Sequence, residues 1–233
     1  MAITYIGGLT GGATDGGAIS INLTSLNLQQ GDIVLAIYSS AFYSDTNVSI
    51  TGYTEISDLY YHSEASQGNI NGYVGYKIMG ATPDTTLAIG AYGDINTGNA
   101  LIAYVWRGVD TTTPLDVTPT TAIAPNPDSG SRPNNPSITP ATAGAVVIAA
   151  LGFGRSDSTP STYTDPDGYE NLVTKGQSDN SKCSASVASK FWSGSGAEDP
   201  GEWTFNYYTW AATTIALRPL LVDTFSPQLM MCS

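Results

Sequence analysis

Residues 31–37 read GDIVLAI and residues 144–150 read GAVVIAA, and the correspondence between these two runs decides the fold class. Each is followed by the same series of landmarks. Gly52-Tyr53-Thr54 answers to Gly168-Tyr169-Glu170, VGYKI around Lys77 to VASKF around Lys190, and ALIAYVWR ending at Arg107 to ATTIALR ending at Arg218. The offsets, in chain order 113, 116, 113 and 111 residues, are too nearly constant to come from composition. The repeated units are short apolar runs rich in Val, Ile, Tyr and Thr and punctuated by Gly, Pro, Asp and Asn, and no helical period persists for three turns. The fold expected is all-β: a β-sandwich, jelly-roll-like, with an internal pseudo-duplication of about 113 residues.

Strands are predicted at 3–6, 18–23, 32–39, 53–57, 72–79, 86–92 and 100–107, and again at 137–139, 145–153, 169–174, 184–192, 202–207 and 212–218. In the Lys77 strand Val74, Tyr76 and Ile78 share one face, as do Val187, Ser189 and Phe191 in its counterpart, and these six are the expected core positions. GDIVLAI and GAVVIAA do not alternate, so both strands should be central and covered on two faces. Seven prolines between Pro114 and Pro140 mark a linker. The organisation expected is one sandwich over 1–219, built from repeats at 18–113 and 137–219 and joined by a Pro-rich crossover at 114–136 that runs over the outside. Past Arg218 the repeat is read as exhausted. Residues 220–233 form an apolar arm in which Leu220, Leu221, Val222, Phe225, Leu229, Met230 and Met231 ask for burial against the sandwich or a neighbouring subunit.

Charged residues make up only 12% of the chain, so Thr, Ser, Asn and Gly must keep its surface wet. The net charge of −12, with no run of Lys or Arg, would repel phosphate backbones and anionic lipid, and no nucleic-acid partner is expected. No stretch of 18 apolar residues argues for membrane insertion, and MAITYIGGLTGG lacks the basic start and apolar block of a secretory signal, so synthesis in a cytoplasm is expected. Cys183 and Cys232 are then read as two free thiols, and the acceptor patterns at Asn22 and Asn47 as coincidence.

Chemistry is scarce. His62 is the only histidine, which rules out a His-based metal cluster. Gly154 to Ser158, GRSDS, leads into Thr159-Pro160 instead of a helix and so lacks the strained turn of a nucleophile elbow. Glu55 and Glu170 fall at near-equivalent places in the two repeats, which separates them instead of pairing them across a cleft. Asp165, Asp167 and Glu170 in one loop, and Asp94 and Asn96 in another, resemble calcium loops without the full ligand count and are read as turns. No catalytic residue, metal or cofactor is expected. The tyrosines stand out instead: Tyr43, Tyr60, Tyr61, Tyr92, Tyr207 and Tyr208 fall at strand ends or in loops among Ser, Asn and Gly. That mixture suits a recognition surface, including one that stacks on sugar rings, and suits equally the capping of a sandwich core. Tyr43, Tyr60, Tyr61, Tyr207 and Tyr208 are the candidate recognition aromatics.

GDIVLAI, GYTEI, GYVGYKI, ALIAYVWRGVDTTTPLDV and WAATTIALRP, spread from Gly31 to Pro219, together resemble a loose group of β-sandwich virion proteins of tailed bacteriophages. The resemblance implies a non-enzymatic structural protein on the virion surface, made in the host cytoplasm. It implies a capsid decoration or cement protein that binds capsid or other virion proteins as a homo-oligomer. Two alternatives stand beside it: a tail fibre or tail-tip appendage that touches a host receptor or glycan, and a carbohydrate-binding module.

Overall fold

The computed structural model describes residues 2–62, 68–124, 132–154, 164–177, 182–204 and 209–221. It is all-β and built of antiparallel sheets. In chain order the strands of the first half are β1 (Thr4–Ala13), β2 (Ile19–Asn22), β3 (Ile33–Ser40), β4 (Thr54–His62), β5 (Asn69–Ile78), β6 (Thr86–Ile89) and β7 (Asn99–Arg107). The second half supplies β8 (Thr120–Ala124), β9 (Asn134–Asn135), β10 (Val146–Gly154), β11 (Glu170–Gln177), β12 (Cys183–Phe191), β13 (Gly201–Glu202) and β14 (Thr209–Leu217).

One five-stranded sheet has the order β1-β7-β3-β5-β4 and the other, read from its β8 edge, β8-β14-β10-β12-β11. Adding seven to every strand number of the first gives the second. The small two-stranded ribbons obey the same rule, β2 pairing with β6 and β9 with β13. Register agrees too: Lys77 lies opposite Val34, and Lys190 opposite Val147. In both halves the strand after the Gly-Tyr turn carries a bulge, between Glu55 and Ser57 in β4 and between Glu170 and Val173 in β11. The turns match because Gly52 and Gly168 sit at φ 80° and 77°, a left-handed geometry that a side chain resists. Across the sandwich β1 and β7 lie against β11, and β8 and β14 against β4. Exchanging the halves maps these contacts onto each other.

The interior between the sheets is contributed by both. Ile33, Leu35 and Ile37 of β3 meet Val146, Ile148 and Ala150 of β10, with Val187 and Ile215 beside them. Val74 and Val187 lie here as their alternation predicts, and Tyr76 and Ile78 pack at its margin. Ser189 is buried but polar: it accepts the Tyr104 hydroxyl at 2.9 Å and donates to the Glu170 carbonyl at 3.3 Å, so its burial leaves nothing unpaired. Phe191 departs from expectation. It sits at the exposed end of β12, because nothing among the described residues closes over that end as Thr111 to Pro114 close beside Ile78.

The non-alternating strands are covered on both faces. The outer side of β3, with Val34, Ala36 and Tyr38, is roofed by Ile19, Ile21, Leu87 and Ile89 of the β2–β6 ribbon and by Val48 and Ile50 of the loop after β3. On the other sheet Val147, Ala149, Leu151 and Phe153 lie under Ile138, Trp203 and Trp210. Trp203 donates Nε1–H to Asn135 Oδ1 at 2.8 Å, and Asn135 Nδ2 in turn donates to the carbonyls of Ala150 and Thr213 at 3.2 and 3.0 Å. That chain of bonds ties the β9 ribbon to the sheet beneath it.

Several boundaries differ from the sequence reading. The Pro-rich crossover contains β8, which pairs with β14 and extends the second sheet's edge. The strand expected at 137–139 is a single bridge, Ile138 to Glu198. β1 runs ten residues instead of four, through a Gly-rich stretch. Only 202–204 of the strand expected at 202–207 lie within the described residues, and β13 ends at Glu202.

Candidate functional site

The ends of the described chain meet on one end of the sandwich. Gly108, just past β7, gives its carbonyl to the Leu220 N–H at 2.8 Å, and Asp110 N–H reaches the Arg218 carbonyl at 2.9 Å. Next to this crossing lies an apolar groove of about 410 Å³ lined by Ala2, Ile3, Gly144, Phe191, Leu220 and Leu221, with Pro219 at its floor. Phe191 is 48% exposed and Leu221 68% exposed, and both belong to the few large apolar side chains that face solvent among the described residues. On a chain with so few charges, this contiguous apolar patch is the candidate contact surface. Leu220 and Leu221, the first two arm residues, therefore form part of the groove itself. Val222, Phe225, Leu229, Met230 and Met231 lie outside the described residues.

Two buried ion pairs stiffen this end. Asp32, with no exposed surface, receives Arg107 Nε at 2.7 Å and Nη2 at 2.8 Å, and also accepts the Gln29 N–H at 2.7 Å. In the second half Arg218 Nε lies 3.2 Å from Asp116 Oδ1, while Asp116 Oδ2 accepts the N–H groups of Ala141 and Thr142 at 2.6 and 2.9 Å. Burial pushes the Asp116 carboxyl up, but the hydrogen bonds from Thr142, Ala141 and Arg218 outweigh it and hold the group below its ordinary value. Each Arg thus stands at the end of a β7-type strand, locked by a carboxylate that also caps the turn leading into the central strand.

The tyrosine surface forms only in part. Tyr43 is 52% exposed and packs on Phe42 with ring centroids 5.0 Å apart, while Tyr60 donates its hydroxyl to the Tyr43 carbonyl. Tyr61 does not join them. Neighbours on a strand point to opposite faces, and Tyr61 shares the parity of Ser57 and Leu59, which face the second sheet. Tyr207 and Tyr208 lie outside the described residues. Tyr92 is spent on structure: its hydroxyl accepts the Ser49 N–H at 3.1 Å and its ring meets Tyr38 edge-on at 6.2 Å.

The segment 41–53 that presents Tyr43 is pinned by buried polar groups that sequence reasoning missed. Asn71 Nδ2 donates to Thr46 Oγ1 at 2.8 Å and to its carbonyl at 3.1 Å, and the Asp58 carboxylate accepts the Val48 N–H. Asp58 has one oxygen buried without a partner. Burial first, and the charge of Glu55 second, push its pKa up to about 6. No motif marks Asp58 in the sequence; only its place opposite Tyr73 on β4, under the loop, makes it unusual.

The remaining chemical candidates have structural roles. His62 Nδ1 meets Asn69 Oδ1 at 2.7 Å. Asp94 accepts the Thr97 hydroxyl at 2.8 Å, and the Asn96 N–H is held at 3.0 Å by Asp15 of the turn after β1, so that loop is a turn closed by protein side chains. Among the described residues no three His, Cys, Asp or Glu side chains gather as metal ligands. Cys183 is fully buried and free, its thiol pushed up by burial. Cys232, Glu64 and residues 155–158 of the serine loop lie outside the described residues. No helix among the described residues is long and apolar enough to cross a membrane. Compared with protein-family models, curated proteins and solved structures, the chain matches none.

Proposed function

We propose that this chain is a non-enzymatic structural protein of a tailed-bacteriophage particle, a decoration or cement protein that attaches to the outer shell as an oligomer. The observation that carries this reading is the apolar groove at the chain ends, where exposed Phe191, Leu220 and Leu221 surround the point from which an apolar tail departs. An apolar end that runs into an apolar tail stays soluble by being covered, and what the chain's own tail leaves open, Leu229, Met230 and Met231 included, repeated copies on a lattice can cover. The landmarks from GDIVLAI to WAATTIALRP, which resemble those of virion sandwiches, support the same reading, and a net charge of −12 suits the outside of a shell that holds DNA. Electron microscopy of intact particles tests it. Regular density of the size of this sandwich on the outer face of the head is the expected result, and density confined to the tail would refute it.

A second reading rests on Tyr43, whose exposed ring packs on Phe42 while its backbone carbonyl accepts the Tyr60 hydroxyl. An aromatic platform fixed in this way can stack on a sugar ring, as a tail appendage facing a host glycan would require. Binding of the purified protein to host cells, lost on Tyr43→Ala, would favour the appendage. Sugar affinity with no particle association at all would favour a carbohydrate-binding module.

A further inference from the structure

Residues 109–114 read VDTTTP and residues 222–227 read VDTFSP, again 113 apart. The run of sequence landmarks thus extends past Arg218, resuming at Val222 after Leu220 and Leu221 are inserted. The work of the first copy is visible. Val109 turns into the central interior and is 1% exposed. Asp110 Oδ1 accepts the N–H groups of Thr112 at 2.8 Å and Thr113 at 3.0 Å, which closes a tight turn. The Pro114 carbonyl then accepts the Arg218 N–H at 2.9 Å. Folded in this way the motif lies over the ends of β3 and β5: Thr111 Cγ2 is 3.5 Å from where a Cβ on Gly31 would stand, and Thr111, Thr112 and Pro114 share a pocket wall with Ile78.

The second half has the same strand ends without that cover. Gly144 corresponds to Gly31 and Phe191 to Ile78, both at an offset of 113, and both line the apolar groove. We propose that this groove is the seat of the chain's own residues 222–227. Asp223 corresponds to Asp110, which closes the turn in the first half, and Phe225 stands where the first half has Thr112, from which it would meet Phe191. The larger ring suits the larger opening. Reach favours the same chain over a neighbour, since Leu221 already forms the wall and six residues span about 20 Å when extended. An intramolecular dock also avoids the entropy of association. The tail cannot go on to form a counterpart of β8, because the place beside β7 is filled by β1. On this proposal Leu229, Met230 and Met231 lie beyond the seat and are the arm residues left to meet another surface. The seat itself stands whether or not the protein coats a particle.

Cross-linking the full chain tests the seat. In a Cys232→Ser background, with Cys183 buried, Ala143→Cys and Thr224→Cys place thiols at the counterparts of Gln30 and Thr111. Mild oxidation should convert most of the protein to a faster-migrating monomer on a non-reducing gel, to the same extent on dilution. Disulfide-linked dimers would assign the groove to a neighbour's tail, and no bridge at all would place the segment elsewhere; either overturns the proposal. Thermal melting supplies an independent check. A chain ending at Pro227 should melt with the full chain, and one ending at Leu221 several degrees lower. Equal melting of the two truncations overturns it as well. Loss of particle binding on truncation at Pro227 with the bridge still formed would concern the arm and leave the seat intact.

Discussion

The two halves of the molecule solve the same problem with different residues. At the head of the first central strand Asp32 is both the partner of Arg107 and the cap of the turn before β3. At the corresponding place the second half has Ala145, and the acid arrives from the crossover as Asp116. The first half is thus self-sufficient at this point and the second depends on chain that reaches it from outside. The difference shows what the two halves share: a buried carboxylate at one place in space, not one position in the sequence. The same asymmetry governs the apolar end, where Ile78 is walled by Thr111 to Pro114 and Phe191 is open.

The sharpest way to break the equivalence is at Gly154, whose counterpart 113 residues earlier is Ala41. A Cβ on Gly154 would overlap the backbone of Asn69 as β5 begins, whereas Ala41 carries its methyl without conflict inside the core. Gly154→Ala should cost more than about 4 kcal/mol or prevent folding, while Ala41→Gly should cost about 1 kcal/mol. Urea unfolding of both variants checks this; equal losses would mean that the approach of Asn69 is not a real constraint.

Next in size are the acids. Asp116→Asn leaves Arg218 without its charge partner and should cost about 2–4 kcal/mol, somewhat under a fully buried pair because the guanidinium is partly wet. Asp32→Asn should cost a similar amount. Adding Ala145→Asp to Asp116→Asn moves the acid to the position used by the first half, and it should recover much of the loss. No recovery would show that the two Arg sites are not interchangeable.

The smallest effect separates Asp58 from Thr174, which stands opposite Ser186 as Asp58 stands opposite Tyr73. With its pKa raised to about 6 in the folded state, Asp58 binds its proton more tightly folded than unfolded. Its favourable contribution is therefore complete below about pH 4 and lost as pH rises through 6. Because the group is only partly buried the loss is discounted to about 1 kcal/mol. Asp58→Asn should raise the melting temperature at pH 7.5 and leave it unchanged at pH 3.5. A larger gain in acid than at neutral pH would contradict the assignment.

Much of this architecture was legible in the chain. The non-alternating GDIVLAI and GAVVIAA announced strands covered on both faces, and the short apolar runs between turn residues announced an all-β body. What escaped had physical reasons. Most of β1 was hidden because glycines carry no strand signal, yet they are needed there: a Cβ on Gly8 would stand 2.5 Å from Val173 Cγ2, so β1 can lie against β11 only without side chains. β8 was hidden because Pro119 and Pro125 flank its five residues and make the stretch read as linker. Of the candidate surface, Tyr43 and Tyr60 come together but Tyr61 does not, a consequence of strand parity that the cluster YYH could have revealed. The groove was not legible, since Ala2, Gly144 and Phe191 meet only when both chain ends converge.

The central claim is that this protein works by adhesion through its apolar end. Its most direct test is the occupancy of purified particles by three chains: the full chain, one ending at Pro227 and one ending at Pro219, each shown by circular dichroism to retain its β fold. The account predicts that the full chain decorates the particles and that neither truncation does. Full occupancy by the chain ending at Pro219 would contradict it.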